Sequence, residues 1–102
     1  MNANSKIWKV YLIKCSDNSY YCGITTDIIR RLNQHNDGIA SKYTRSRRPV
    51  KLIIVSPYLD HSGALTLEYL VKHEYRSRKV RMILSRWERK SKCTKEMHQE
   101  KE

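Results

Sequence analysis

The chain contains two short runs of β-branched and aromatic residues, separated by a cluster of turn-forming residues. The runs cover residues 9–15 and 20–25, and the sequence of residues 16–19 is Ser-Asp-Asn-Ser. Valine, isoleucine and tyrosine favour extended strands, whereas serine, aspartate and asparagine favour turns. The pattern predicts an antiparallel hairpin, so the fold of this chain must build on two adjacent strands.

A helix is predicted directly after the hairpin. Thr26 or Asp27 provides its N-cap, the apolar periodicity continues to about Asn36, and Gly38 ends the helix. Residues 37–49 follow as a predicted loop that carries a dense run of basic side chains.

The second half of the chain predicts one more strand and two more helices. Residues 50–56 form a nearly continuous apolar run, which is typical of a central strand covered on both faces. Helices are predicted from Ser62 to about Tyr75 and over residues 78–90, with Ser77 as the cap of the latter. The predicted order β-β-α-β-α-α indicates an α/β (α+β) fold, in which helices flank a small three-stranded antiparallel sheet.

The chain has 102 residues, enough for one hydrophobic core. We expect an N-terminal extension over residues 1–7, one domain over residues 8–90 and a polar, flexible tail over residues 91–102. No apolar run approaches the ~18 residues of a membrane span, and residues 1–6 lack the apolar segment of a signal peptide. These features predict a cytoplasmic protein without a membrane partner.

The chain has three cysteines and four histidines, and their spacing argues against a structural zinc site. Cys15, Cys22 and Cys93 include no CxxC pair, and the histidines are scattered along the chain. An odd number of dispersed cysteines is typical of a reduced, intracellular protein with ordinary thiols.

Basic residues outnumber acidic ones by 21 to 10, which gives a formal net charge of +11. A surface this basic attracts polyanions, most often nucleic acid, although a basic protein without a specific partner has the same composition. Arginine and lysine suit phosphate contacts, and an aromatic ring among them could stack on a base. The candidate nucleic-acid-binding residues are Lys42, Tyr43, Arg45, Arg47 and Arg48. The alternative is a solvated basic loop.

Arg31 and His35 lie one turn apart on the first predicted helix. A helical wheel places both at the shoulder of the apolar stripe that Ile28 and Leu32 form, whereas Arg30 faces water. A cation and an imidazole together at the rim of a core are suited to hold a phosphate. The alternative is that the aliphatic part of Arg31 covers the sheet while its charge remains in solvent.

The second predicted helix carries a carboxylate within its apolar arc. Glu68 falls inside the arc formed by Leu65, Tyr69, Ala64 and Val71. A carboxylate on a buried face is costly unless it is paired or binds a metal. Glu68 is therefore a candidate metal ligand, or the partner of Arg31 or Lys72 in an ion pair.

The hairpin contains three tyrosines and one glycine. Tyr11, Tyr20 and Tyr21 suit cross-strand packing, which is the ordinary role of tyrosine in a sheet. Gly23 is unusual inside a strand, and it indicates a bulge or a close approach by backbone or by a ligand. We therefore expect a structural role for this glycine.

Several of these motifs together resemble a known family. The tripeptides Val10-Tyr11-Leu12 and Tyr21-Cys22-Gly23 are followed by Arg31, His35 and Glu68. In this order and spacing, the chain resembles the GIY-YIG endonuclease family over about residues 8–84. More narrowly, residues 21–27, 30–36 and 42–49 resemble the small standalone members of the YhbQ/YazA type, also called the URI or UPF0213 group. The first motif is Lys-Val-Tyr in place of Gly-Ile-Tyr and keeps the tyrosine.

The resemblance implies a nuclease that cuts DNA phosphodiester bonds with one divalent metal, usually magnesium, with manganese as the alternative. The implied catalytic residues are Tyr11, Tyr21, Arg31, His35 and Glu68. Glu68 is the implied metal ligand, and the ion would take its other ligands from water and phosphate, as magnesium does. DNA repair or recombination is the expected context, and branched or single-stranded DNA is a candidate substrate. Such a function implies association with the nucleoid or, in a eukaryotic or viral host, with the nucleus.

Two questions stay open at the level of the sequence. The base that takes a proton from water is either Tyr11, the family's usual assignment, or His35, whose ordinary pKa is better placed. In either case Tyr11 and Tyr21 must share one side of the hairpin, which requires that paired residue numbers have an even sum. The alternatives to an active nuclease are a non-catalytic nucleic-acid-binding module and a nuclease subunit that a protein partner activates.

Overall fold

The computed structural model describes residues 5–87, which form a three-stranded antiparallel sheet with helices on both faces. The strands are β1 (Lys9–Lys14), β2 (Tyr20–Thr25) and β3 (Lys51–Val55), in the spatial order β2-β1-β3. The predicted hairpin and the predicted three-stranded antiparallel sheet are confirmed. Both neighbours pair with β1, so this strand is the central one and its interior residues are buried.

Four helices accompany the sheet within the described part of the chain. They are α1 (Ile28–Asn36), α2 (Lys42–Arg45), α3 (His61–Lys72) and α4, which covers residues 76–87. The helices α1, α3 and α4 confirm the three predicted ones, with ends that differ by a few residues. The predicted end of the last helix, near residue 90, lies outside the described residues.

The short helix α2 lies inside the segment that was predicted to be a loop. The hydroxyl of Ser41 accepts hydrogen bonds from the backbone N–H groups of Tyr43 and Thr44, at 3.0 and 3.4 Å, and so caps the turn. A single helical turn is too short to show an apolar periodicity, so no periodic pattern predicts it.

Side chains alternate along a strand, so the sheet separates two apolar clusters. α1 packs on one face, over a buried cluster of Tyr11, Ile13, Cys15 and Val50. The cluster on the other face joins the sheet to α3 and α4. Its buried members are Val10, Leu12, Cys22, Ala64, Leu67, Val71 and Ile83. Because β2 is an edge strand, a site beside it can receive side chains from both helical layers.

The third strand lies at an edge of the sheet, so its predicted central, covered position is wrong. Leu52 and Ile53 are 37% and 40% exposed. Leu12 faces Ile54 whereas Ile13 faces Leu52, which leaves Ile53 as the extra residue of a bulge. An apolar run indicates that a segment can be buried, but it does not predict the position of the strand in the sheet. The covered position belongs to β1.

Helix ends follow the local capping chemistry. Asp27, one of the two predicted caps, accepts a hydrogen bond from the backbone N–H of Arg30 at 3.1 Å and begins α1. Gly38 follows this helix with a φ of +81°, as expected of a glycine at a helix C-terminus. Asp60 accepts from the N–H of Gly63 at 2.7 Å, so α3 begins one residue before the predicted Ser62.

Some predicted features lie outside the described residues. These are the first part of the N-terminal extension, Cys93 and the polar tail over residues 91–102. Across residues 5–87, no helix combines the length and the apolar character that crossing a membrane requires.

Candidate active site

The register of the hairpin places Tyr11 and Tyr21 on the same face of the sheet. Tyr11 pairs with Gly23, and Ile13 pairs with Tyr21, so the sums of paired numbers are even, as the site requires. The two tyrosine rings lie 6.5 Å apart between centroids. Gly23 allows this arrangement, because a Cβ at this position would lie 2.6 Å from Cζ of Tyr11. The group that approaches Gly23 is thus the Tyr11 phenol, a side chain, and not the backbone or ligand that was predicted there.

Tyr11, His35 and Thr44 form a buried chain of hydrogen bonds. The Tyr11 hydroxyl lies 2.8 Å from Nε2 of His35, and Nδ1 of His35 lies 2.8 Å from Oγ1 of Thr44. The Thr44 hydroxyl donates to the carbonyl of Ser41 at 3.4 Å, so its oxygen accepts from the Nδ1–H group. Nε2 of His35 therefore carries a lone pair and accepts the proton of the Tyr11 hydroxyl.

Burial sets the protonation of this chain. It raises the pKa of Tyr11 above the ordinary value, with Tyr21 as the next cause, and the Arg31 guanidinium opposes part of that rise. Burial also lowers the pKa of His35, and the charge of Arg31 lowers it further. At neutral pH, Tyr11 is therefore a phenol and His35 a neutral imidazole, with the shared proton on Tyr11.

The orientation of α1 results from a clamp at its C-terminal end. The side chain of Asn36 accepts from the backbone N–H of Val50 at 2.8 Å and donates to the Val50 carbonyl at 3.3 Å. This clamp ties α1 to the residue that precedes β3. In this orientation His35 is 1% exposed while Ile29 is 70% exposed. His35, predicted at the shoulder of the apolar stripe, is thus its most buried member.

Arg31 is half-buried on the same helix, and its charge acts on both Tyr11 and His35. Within residues 5–87, the guanidinium of Arg31 forms no ion pair with a carboxylate. Arginine binds carboxylate and phosphate through two parallel hydrogen bonds. Arg31 is therefore available to an anion that reaches the Tyr11 hydroxyl.

Glu68 reaches the site from the opposite helical layer. Its side chain is 20% exposed, and its Oε2 lies 3.3 Å from Nζ of Lys72. Burial raises the pKa of the Cys22 thiol to about 12, and the nearby Glu68 carboxylate is the next cause. The same carboxylate contributes, well behind burial, to the raised pKa of Tyr11. Glu68 is therefore close enough to both β1 and β2 for its charge to act on them.

The buried face of α3 agrees only in part with the predicted apolar arc. Ala64 and Val71, which belong to that arc, are buried together with Leu67. Leu65 and Tyr69, which also belong to it, are 45% and 61% exposed. The sheet selects this face because its small and branched side chains fit against β1 and β2. Glu68 lies at the border of this face, and of the two predicted ion-pair partners the structure pairs it with Lys72.

A divalent metal fits these residues as a partly hydrated ion. Within residues 5–87, no group of three or more His, Cys, Asp and Glu side chains is arranged to hold a metal. Glu68 can supply one carboxylate. Magnesium suits such a donor set, because it keeps several waters and takes further oxygens from phosphate. The closed set of nitrogen and sulfur ligands that structural zinc needs is not found in this part of the chain.

Two arginines of the basic run are engaged within the fold. Arg47 donates through Nε to Asp17 at 2.9 Å, and its guanidinium lies 3.9 Å from the ring centroid of Tyr43. Arg48 donates through Nε to the backbone carbonyl of Arg45 at 2.9 Å. Their predicted contact with nucleic acid stays a prediction, and both side chains also hold the α2 region together.

The other members of the run are exposed. The Tyr43 ring stacks on Tyr21, with centroids 5.9 Å apart and planes inclined by 27°. Arg45 lines a groove of about 530 Å³ at the end of α1, and Lys42 precedes it on α2. Lys42 and Arg45 therefore stay candidates for phosphate contact, while Tyr43 also supports a tyrosine of the hairpin.

A cavity of about 230 Å³ lies beside β2, where both helical layers meet the edge of the sheet. Its lining includes Tyr21, Cys22, Tyr43, Lys72 and Lys79. The cavity thus adjoins both the tyrosine stack and the lysine that pairs with Glu68. Two lysine side chains line it, and their positive charge makes the cavity suited to an anion.

Reasoning from the sequence missed two residues of this region. Thr44 sets the tautomer of His35, and Lys79 donates from Nζ to the carbonyl of Val71 at 2.7 Å, which fixes the end of α3. Thr44 lies in the segment 42–49 that carries part of the family resemblance, so a signal for it was present. Lys79 lies among many basic residues of its helix, and nothing in the sequence distinguishes it.

Comparison with known proteins adds four findings. Residues 7–81 match the model of the GIY-YIG catalytic domain. A UPF0213 protein of Listeria monocytogenes serotype 4b is 47% identical over 78 residues, which cover 76% of this chain and 88% of that protein. A UPF0213 protein of Staphylococcus aureus strain Mu3 is 44% identical over 77 residues, which cover 76% and 94%. The solution NMR structure of the UPF0213 protein BH0048 from Bacillus halodurans is 38% identical, with a TM-score of 0.47 over 74% of this chain and 81% of that one.

Proposed function

The chain belongs to the GIY-YIG family, as a small standalone member of the YhbQ/YazA type, and on that premise we propose that it is a metal-dependent endonuclease acting on DNA. The observation that carries the proposal is the buried pair in which the Tyr11 hydroxyl lies 2.8 Å from Nε2 of His35. Two apolar side chains would fill the same space without desolvating polar groups. The pair that is present supplies a route for a proton.

We assign Tyr11 as the group that accepts a proton from the attacking water. His35 is assigned as the final acceptor in this proton transfer. As water attacks phosphorus, Tyr11 takes a proton from the water and passes its own proton to Nε2 of His35. Burial raises the pKa of Tyr11 and lowers that of His35. A free tyrosinate is therefore unfavourable, and moving both protons in one step avoids forming it. The two bases that the sequence left as alternatives thus act in series.

Arg31, Glu68 and Tyr21 act on the phosphate in this proposal. Arg31 binds the non-bridging oxygens, where negative charge rearranges in the transition state. Glu68 holds a magnesium ion, or manganese in its place, which when bound polarises a phosphate oxygen and stabilises the leaving oxygen. Tyr21, on the same face as Tyr11, orients the water or the phosphate.

The proposed reaction is a hydrolysis. The water oxygen forms a bond to phosphorus, and the bond between phosphorus and the 3′ oxygen breaks. The proton that leaves the attacking water reaches His35 through Tyr11 and then returns to solvent. A proton from solvent completes the 3′ hydroxyl group. The products are a 5′-phosphate end and a 3′-hydroxyl end.

DNA is the proposed substrate because the net charge is +11 and because Lys42 and Arg45 are exposed beside the site. Contacts of this kind position a nucleic acid but do not read its sequence. The finer form of the proposal is therefore a nuclease that selects DNA by shape, with branched or single-stranded DNA as substrate and repair or recombination as its context.

The decisive experiment compares the wild type with Glu68→Gln on labelled single-stranded, duplex and branched DNA. Each reaction contains magnesium, manganese or EDTA. We expect metal-dependent products with 5′-phosphate ends from the wild type and none from Glu68→Gln, which keeps the shape of the side chain but removes its charge. Glu74→Gln, the same change at the turn after α3, is the matched control and should cut like the wild type.

Two other outcomes have defined meanings. Cutting that survives in Glu68→Gln or in EDTA would contradict the assignment of Glu68 as the metal ligand. Binding of DNA by the wild type without cutting in either metal would contradict an active nuclease. That result would favour the non-catalytic binding module or the nuclease subunit that a protein partner activates.

A further inference from the structure

Lys72 forms an ion pair with Glu68, the carboxylate proposed to bind the metal. Its Nζ lies 3.3 Å from Oε2 of Glu68, one helical turn away on α3. The side chain of Lys72 is 49% exposed and that of Glu68 is 20% exposed, so both members of the ion pair are accessible to solvent. An ammonium and a divalent cation beside one carboxylate oxygen repel each other strongly. A metal that binds Oε2 of Glu68 must therefore displace Lys72.

The cavity of about 230 Å³ beside β2 offers Lys72 a second position, since this lysine also lines it. Lys79, the other lysine of the cavity, is held in place by bonds from Nζ to the carbonyls of Val71 and Lys72, at 2.7 and 3.3 Å. Lys72 has a long side chain with rotatable bonds. Within residues 5–87 its ion-pair partner is Glu68 alone. Of the two lysines that line this cavity, Lys72 is thus the one whose ammonium group can move from Glu68 to an anion in the cavity.

Resting on the proposed function, we propose that Lys72 exchanges Glu68 for a DNA phosphate in this cavity and thereby makes metal binding and DNA binding favour each other. A phosphate in the cavity draws Lys72 from Glu68 and frees the carboxylate. A metal on Glu68 releases Lys72 to the cavity. By linkage, the two effects have the same magnitude.

The charges explain why the two ligands bind better together. With the metal alone, Lys72 has lost its carboxylate partner and lies in the cavity without an anion. With the phosphate alone, a second negative charge lies beside Glu68. With both, the metal is paired with Glu68 and the phosphate with Lys72, so each charge has an opposite neighbour. Lys72 is therefore a positioning residue that acts on the metal site through Glu68.

The first test measures Mn²⁺ binding by the full-length protein without DNA, from the electron paramagnetic resonance signal of free Mn²⁺. Lys72→Met removes the ammonium and keeps most of the length of the side chain. We expect it to bind Mn²⁺ roughly three- to tenfold more tightly than the wild type, because the competing charge is gone. Lys72→Arg, which keeps the charge, should bind Mn²⁺ like the wild type.

Lys51→Met is the matched control for net charge, since Lys51 is exposed on β3 at the opposite edge of the sheet. It should leave the Mn²⁺ affinity unchanged. The second test measures binding of a fluorescent DNA duplex in EDTA. We expect Lys72→Met to weaken this binding more than Lys51→Met does, because Lys72, unlike Lys51, contacts the phosphate in the cavity. Circular dichroism checks that each variant is folded.

The outcomes separate this inference from the proposed function. If Glu68→Gln abolishes Mn²⁺ binding while Lys72→Met binds Mn²⁺ no more tightly than Lys51→Met, the exchange is wrong and the metal site stands. If neither the wild type nor Lys72→Met shows Mn²⁺ binding that depends on Glu68, the metal site is wrong and the exchange with it.

Discussion

Arg30 and Arg31 are consecutive in α1, yet the first is exposed and the second is half-buried with its charge acting on Tyr11 and His35. Adjacent residues of a helix point about 100° apart, so a pair of equal side chains can have unequal functions. The sequence already predicted this difference from the apolar stripe, and the structure confirms that the two side chains have different surroundings.

This relationship leads to a matched pair of variants. Arg31→Met should lower the rate of DNA cutting by about 100-fold or more, because the phosphate loses a charge-assisted donor in the transition state. Arg30→Met removes the same charge one residue away and should change the rate little. Single-turnover cleavage at saturating protein measures the effect separately from DNA binding. Equal rates for the two variants would contradict the proposed role of Arg31.

The space beside Gly23 is a second testable feature. In Gly23→Ala the new Cβ would lie 2.6 Å from Cζ of Tyr11, so the phenol must move away from His35. We expect a loss of about 1–3 kcal/mol in the free energy of unfolding and a loss of cutting. Urea unfolding and a cleavage assay on the folded variant measure the two effects.

Gly63→Ala is the control for that loss of stability. Its Cβ would lie 2.8 Å from Oδ1 of Asp60, the cap of α3, so this variant should also be less stable. Because Gly63 lies at the start of α3, away from Tyr11, cutting per folded molecule should be retained. A Gly23→Ala variant that cuts at the wild-type rate would show that the position of the phenol is not needed.

The hydroxyl of Tyr11 gives a third prediction. Tyr11→Phe leaves Nε2 of His35 buried without its 2.8 Å partner, which should cost about 1–3 kcal/mol of unfolding free energy. It should also abolish cutting, since the water loses its proton acceptor. Tyr58→Phe makes the same change at a side chain that is 55% exposed and should have neither effect. Retained cutting by Tyr11→Phe would transfer the role of base to another group.

The buried imidazole predicts how stability depends on pH. Burial lowers the pKa of His35 in the folded protein below the value of 6.5 for an unperturbed histidine. Between these two values the unfolded chain binds a proton that the folded chain does not, so the free energy of unfolding falls as the pH falls from about 7. Cutting should fall in the same direction, because a protonated His35 cannot accept the proton of Tyr11.

Urea unfolding at pH 7.5 and at lower pH measures this dependence in the wild type and in His35→Gln. The variant should lose less stability between the two conditions than the wild type does. His73→Gln, at an exposed histidine that follows α3, is the control and should keep the wild-type dependence. An unchanged dependence in His35→Gln would mean that another group is responsible.

Much of the fold could be predicted because it depends on near neighbours. The turn residues between the two strands, the cap at Asp27 and the glycine at position 38 each act within a few residues of chain. The extents of β1 and β2 followed from side-chain type. The short helix α2 was not predicted, because its cap, Ser41, precedes a run of basic residues that shows no helical pattern.

The residues of the candidate site could also be named in advance, from spacing and from the family resemblance. Their arrangement could be stated only as a condition. Tyr11 and Tyr21 had to share a face, and whether they do depends on the register of β1 against β2. The sequence likewise left open which residue is the general base. The hydrogen bonds that connect Tyr11, His35 and Thr44 join β1, α1 and α2, so they depend on how these elements pack together.

The sequence by itself therefore determined the hairpin, the main helices and the identity of the candidate residues, since local propensity and spacing carry that information. Only the tertiary structure decided that β3 lies at an edge, which face of α3 is buried and that Lys72 pairs with Glu68. The first two depend on packing between segments distant in the chain. The third depends on that packing as well, because Glu68 could pair with Lys72 or Arg31 until the position of α3 against the sheet selected Lys72.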